Sequence, residues 1–355
     1  MPLTKLQSRG TLNIGAGSSN IIINGAMTVS QRGTQTNQTS GYTACDRWQF
    51  AENGSVVVTT SQSTDVPSGQ GFANSLKIDV TTASGTPSSG NYALVRTKFE
   101  GQDLQHLLYG TSNAYSLTLS FWVKSPKTGT HIVQLTHSDA GYYNSIIYTI
   151  NSANTWEHKK VTFVGYQTTG FDDDINNSLQ VYWWLMKYDE GTLTENTWHN
   201  TSANQASGQV NTMDNTSNNF YLTGVQLEVG SQNSDFQNED FGTTLKKCQR
   251  YFQSWGSVQS VGSGVWYNST QIIAHMPFFG IMRDAPTMTT SGNNFAKVYK
   301  GGSTTRQVDD STPFDLIKST GSRLNLGVSS SGTDGQGAMV QTEGSGAYIF
   351  ADADL

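Results

Sequence analysis

The densest carboxylate group in the chain is Asp172-Asp173-Asp174, directly after Phe171. Hard cations such as calcium take several oxygen ligands from a flexible loop, so Asp172 and Asp174 are the candidate ligands of a structural calcium. The run lacks the spaced ligands of a calcium-binding loop, and a solvated acidic turn is the plainer reading. Asp189, Glu190 and Glu195 follow nearby. Glycosidic cleavage needs two carboxylates facing each other across a cleft, and nothing in the spacing makes any pair converge. His131 and His137 fall at opposite ends of one expected strand, too far apart to share a metal. No nucleophile elbow, metalloprotease helix, phosphate-binding glycine loop or CxxC pair occurs. Catalysis is not expected, and neither is a cofactor beyond that candidate calcium.

Aromatic side chains are the other chemically useful class, with 8 Trp and 15 Tyr. In Val181-Tyr182-Trp183-Trp184-Leu185-Met186 the strand period places Tyr182, Trp184 and Met186 on one face and Trp183 and Leu185 on the other. One face must be core. Exposed rings on the other would form a platform for stacking against sugar rings, with amides alongside. Packing between sheets is the competing reading for each ring. Trp198 and the pair Tyr142-Tyr143 lie in turn-like surroundings, where exposure is more natural. The candidate ligand-binding residues are therefore Tyr182, Trp184, Trp198, Tyr142 and Tyr143.

The elements that must position these residues read as strands. Candidate strands recur at Asp46–Phe50, Ser55–Thr60, Ser75–Val80, Tyr92–Phe99, Ser116–Val123, Thr130–Thr136, Ser145–Ile150, Trp156–Val164, Leu179–Met186 and Tyr221–Val229. Turn clusters separate them, among them Asn53-Gly54, Pro67–Gly71 and Gly191. Asn20–Ile23 and Ala26–Val29 also read as strand, whereas Leu104, Leu107 and Leu108 have helical spacing and imply a turn or two of helix. This pattern predicts an all-β chain: a jelly-roll-like β-sandwich over 20–242, then a linking helix and a small C-terminal β-domain over 243–355. Thr243 or Thr244 is the expected cap of that helix, with Leu245, Cys248 and Phe252 on one face. Residues 1–19 read as an arm that either pairs with a neighbouring subunit or lies loose.

Charged residues are only 14% of the 355, against roughly 25% in ordinary soluble domains, and the net charge is −6. No basic patch stands out, so nucleic acid is not an expected partner. No apolar run approaches the roughly 20 residues that cross a bilayer, and the first ten residues lack a signal-peptide core. The two cysteines, Cys45 and Cys248, read as small buried thiols. A surface rich in Ser, Thr, Asn, Gln and Gly suits neutral polar ligands such as sugars, and it equally suits any turn-rich virion or secreted β-protein.

Several segments carry a family likeness. Asn20–Gly33 (NIIINGAMTVSQRG) with Tyr42–Trp48 (YTACDRW) resembles the start of a jelly-roll module of phage tail-fibre and related virion proteins. Leu117–Lys124 (LTLSFWVK) and the stretch from Trp156-Glu157 to Phe163 are similar to its middle strands. Tyr221–Phe252, Phe278–Pro286 and Ile349–Leu355 are similar to its closing junction and to the small domain that follows. The resemblance implies a carbohydrate-binding-like module in a tailed-phage virion protein, assembled in the host cytoplasm. It implies a tail-fibre or receptor-binding subunit, self-associated as a homotrimer, attached to other tail or capsid proteins through the arm and recognising a host surface polysaccharide. A capsid decoration or head-fibre protein is the alternative, and a polysaccharide-degrading tail enzyme the weaker one.

Overall fold

The computed structural model describes residues 20–188, 193–200, 208–300, 305–309, 313–329 and 332–355. The arm over 1–19, Asp189, Glu190 and the Gly191 turn lie outside them. In chain order the first thirteen strands are β1 (Gln35–Gln38), β2 (Gly41–Tyr42), β3 (Gln49–Asn53), β4 (Val57–Ser63), β5 (Ser75–Thr82), β6 (Tyr92–Glu100) and β7 (Leu117–Lys124), followed by β8 (Gly129–His137), β9 (Tyr142–Ile150), β10 (Glu157–Phe163), β11 (Asn177–Lys187), β12 (Trp198–His199) and β13 (Asn219–Val229). They form a six-stranded sheet, β1-β4-β5-β13-β7-β10, and a seven-stranded sheet, β12-β9-β8-β11-β6-β3-β2. Neighbours in both sheets run antiparallel, and non-sequential strands pair repeatedly. The result is a jelly-roll sandwich.

Period-two alternation sends one side of each sheet inward. Leu76, Ile78, Leu119, Phe121, Phe220 and Leu222 from the first sheet meet Val95, Val133, Leu135, Val181 and Trp183 from the second, all fully buried. Each such side chain contributes about 1.5–3 kcal/mol relative to exposure. Trp183 sits at the centre, its ring 5.5 Å from those of both Trp48 and Phe121.

Four local expectations differ from the fold. Residues 20–29 form turns and irregular backbone rather than strand. Asn24 (φ 60°) and Met27 (φ 57°) are left-handed, and the Asn24 amide donates to the carbonyls of Val29 and Asp46, which gives this backbone an alternative to a ladder. The helix α1 (Phe241–Gln249) starts earlier than expected, because the Asp240 side chain accepts from the Thr243 N–H at 3.0 Å. Phe252 is not on that helix but begins the next strand, Phe252–Trp255. In β11 the register shifts between Trp184 and Met186, and this bulge turns Met186 into the core beside Leu185. The leucine-rich segment, in keeping with its helical spacing, forms two short 3-10 turns, Gly101–Asp103 and Gln105–Leu107.

Beyond α1 lie a three-stranded and a seven-stranded sheet with a second core, including Trp255, Trp266, Ile272, Phe295, Val340 and Ile349. The two regions meet through buried charge. Asp354, its side chain 1% exposed, accepts from Arg32 Nη2 at 2.8 Å and from Arg47 Nη1 at 2.6 Å. The Arg47 guanidinium lies over Tyr251, that of Arg32 over Phe252. Gln31 donates to the Phe252 carbonyl, Arg250 pairs with buried Glu100, and Tyr42 donates to the Leu355 carbonyl. Both cysteines are buried and free. Among the described residues no helix is long and apolar enough to cross a membrane.

Candidate functional site

The outward side of the seven-stranded sheet carries a cleft of about 350 Å³, at the small end of the roughly 300–1,000 Å³ usual for ligand sites. Three central strands build it by alternation. β6 presents Tyr92, Leu94 and Arg96, β11 presents Gln180, Tyr182 and Trp184, and β8 presents Ile132 and Gln134. Tyr143 from β9 and the segment Ser89–Asn91 with Lys187 and Tyr188 complete the lining.

The floor is a small apolar cluster of Ala51, Leu94, Ile132, Tyr182 and Trp184. Trp184 is 6% exposed and Tyr182 9%, so both are largely packed beneath their neighbours. Tyr92 meets Trp184 edge-on with centroids 6.2 Å apart, and Tyr182 does so at 5.8 Å. The rings more open to solvent are Tyr188, 44% exposed, and half-buried Tyr92 and Tyr143.

Polar groups on this floor hold one another in fixed directions. The Trp184 indole N–H donates to Gln134 Oε1 at 2.8 Å, and the Gln134 amide donates to Thr136 Oγ1 at 2.9 Å. The Tyr182 hydroxyl donates to Gln180 Oε1 at 2.9 Å. Arg96 donates through Nε to Gln49 Oε1 at 2.7 Å and through Nη1 to Gln180 Oε1 at 3.3 Å. Burial pushes the Tyr182 phenol up, with the neighbouring Arg96 charge opposing it, so Tyr182 stays a neutral donor near pH 7. Lys187 Nζ lies 4.9 Å from the Trp184 ring centroid. Such a surface can stack a flat ring and hydrogen-bond hydroxyls with little reorganisation.

Of the residues singled out by sequence, Tyr182, Trp184 and Tyr143 come together here. Tyr142 and Trp198 do not. Tyr142 points to the other side of β9, its ring 4.9 Å from Tyr166, and Trp198 packs 5.2 Å from Tyr166 and donates its N–H to the Val164 carbonyl. Tyr92, Arg96, Gln134 and Tyr188 were missed by sequence reasoning. An arginine directly after the apolar run Tyr92–Val95, on the same strand face as Tyr92 and Leu94, was the available signal.

The acidic run lies elsewhere, at one end of the sandwich. The Asp139 carboxylate accepts from the Asp172 N–H at 3.0 Å, and the Asp174 carboxylate accepts from the Asn176 N–H at 2.8 Å. Among the described residues no group of three or more His, Cys, Asp or Glu could hold a metal ion. His131 and His137 are buried, their Nε2 atoms paired with the carbonyls of Lys127 and Thr169.

No family model matches this sequence, and no curated protein matches it either. Among solved structures it is similar to the enzymatically active domain of tailspike protein 4 of bacteriophage CBA120, at 14% identity and a TM-score of 0.33. That match covers 59% of this chain and 21% of the tailspike chain. It is also similar to a family 11 carbohydrate-binding module of a Clostridium thermocellum cellulosomal cellulase, at 12% identity and a TM-score of 0.28, covering 57% of this chain and 97% of the module. A third similar structure is TmCBM61 in complex with β-1,4-galactotriose, at 12% identity and a TM-score of 0.31, covering 60% of this chain and 99% of that one. All three scores lie below 0.5.

Proposed function

We propose that this protein is a glycan-binding subunit of a tailed-phage virion, of the tail-fibre or receptor-binding kind, which holds a host surface polysaccharide without cleaving it. The observation that carries this reading is the cleft on the outer side of the seven-stranded sheet. It combines tyrosine rings with amides already oriented by hydrogen bonds, the groups a sugar needs for stacking and hydroxyl recognition. The virion assignment is supported by the resemblance of the segments around Asp46-Arg47-Trp48, α1 and the final seven residues to phage fibre proteins. A single cleft of this size binds weakly. Several copies per particle, in a homotrimer or a larger array, would multiply the affinity.

A glycan array probed with the full chain and with Tyr92→Ala and Tyr188→Ala tests the reading. Binding to at least one polysaccharide, weakened at least tenfold by both substitutions, is expected. Undiminished binding by both variants would move the site elsewhere. The purified protein is expected to release no sugar from host envelope material, and release abolished by Asp173→Asn would overturn the non-catalytic part.

A further inference from the structure

Most arginines among the described residues are spoken for. Arg32, Arg47, Arg250 and Arg323 each pair with a carboxylate, and Arg283 is taken by the carbonyls of Ala353 and Ile175. Arg96 is different. Its hydrogen-bond acceptors are the neutral oxygens of Gln49, Gln180 and Tyr182, and among the described residues no carboxylate stands within ion-pair distance of it. Neutral acceptors fix the plane of a guanidinium without cancelling its charge. Its Nη2 edge makes no hydrogen bond to any described residue, and Arg96 is among the residues that line the cleft.

The charge persists in a chain with 27 acidic residues and a net charge of −6. None of the described residues lining the cleft is Asp or Glu, and its other charged residue is Lys187. The Arg96 charge also reaches along its own strand: after burial, it is the next cause lowering Lys98 to about 8. A planar fork presented this way matches the two oxygens of a carboxylate or phosphate, which a neutral hydroxyl cannot do.

We infer that the glycan held in this cleft is acidic, and that its anionic group sits on Arg96 beside the Tyr182 ring, with the rings of Tyr92 and Tyr188 farther along the cleft. The inference rests on the proposed glycan-binding function and narrows its ligand to sugars bearing a carboxylate or a phosphate. Neutral sugar units would occupy the tyrosine side of the cleft, so recognition would read one acidic unit and its neighbour.

The test is titration calorimetry of the full chain against alginate, polygalacturonate and hyaluronan, each native and after reduction of its carboxyls to alcohols, and against phosphomannan before and after dephosphorylation. At least one native polymer is expected to bind at least tenfold more tightly than its neutralised form, and the affected pair identifies carboxylate or phosphate as the anion. Arg96→Gln is expected to abolish that preference and Arg96→Lys to retain part of it. Should Arg96→Gln fail to fold, the wild-type salt dependence decides: affinity for the acidic form falls between 50 and 500 mM NaCl, and a flat response overturns the inference. Equal binding to acidic and neutral forms overturns it while leaving glycan binding intact. Binding to no polymer on the panel, or only to neutral ones, overturns it as well, the former together with the glycan reading.

Discussion

At the scale of single residues, the adjacent Trp183 and Trp184 perform opposite tasks because a strand alternates its faces. Trp183 is fully buried between the sheets, so Trp183→Ala is expected to cost about 3–5 kcal/mol, read as a shift in the urea midpoint. Titrating groups add a pH signature. Burial lowers His131 to about 4 from its ordinary 6.5, opposed by its bond to the Lys127 carbonyl. Between those values the unfolded chain binds more protons, so this contribution is complete above pH 6.5 and is lost as pH falls through 4. The full effect is about 3 kcal/mol at most. Asp46 works in the other direction. Burial raises it to about 6 from 3.8, so its contribution is complete below pH 3.8 and is lost as pH rises through 6. Compared with the wild type, the urea midpoint at pH 4.5 relative to that at pH 7 is expected to rise in His131→Gln and to fall in Asp46→Asn.

Elements are positioned by features that alternation alone does not contain. The bulge after Trp184 sends Met186 inward, leaving Lys187 and Tyr188 to reach the mouth of the cleft. A second device is Gly101, where the strand β6 passes into its 3-10 turn. A Cβ there would lie 2.0 Å from the Asp172 carbonyl oxygen, so the acidic loop can pack only against a glycine. Gly101→Ala is expected to displace that loop and cost about 1–3 kcal/mol, with hydrogen exchange accelerated around 171–176 and unchanged in the sheet around Arg96. An unchanged melting temperature would contradict that packing. The helix α1 shows the same limit of sequence reading. Its existence was legible from residues 243–252, but its cap belonged to Asp240, whose side chain outcompeted the two threonines for the first turn.

For the whole molecule, the motifs that carry the family resemblance converge outside the cleft. Gln31, Arg32, Arg47, Tyr251, Phe252 and Asp354 come from its beginning, its centre and its end, and they meet as one buried network between the two cores. Removing one partner from such a network leaves a buried charge without compensation, at a cost of about 3–5 kcal/mol. Asp354→Asn is therefore expected to uncouple the regions. Calorimetry would resolve two thermal transitions where the wild type unfolds in one, while glycan binding at the cleft, which none of these residues lines, persists below the first transition. A single unshifted transition would show the network to be dispensable.

Residues adjacent in the chain suffice for the class of the fold, the turn-punctuated strands and the shared face of Tyr182 and Trp184, but not for which face is core. Tertiary structure decided which strands lie side by side. Arg96 meets Gln49 and Gln180 across separations of 47 and 84 residues. Local periodicity carries no information about such partners, since strand order is set by the packing of the whole core. Exposure was decided the same way: Trp184 faces outward yet lies beneath its neighbours, while Tyr92 and Tyr188 hold the open positions.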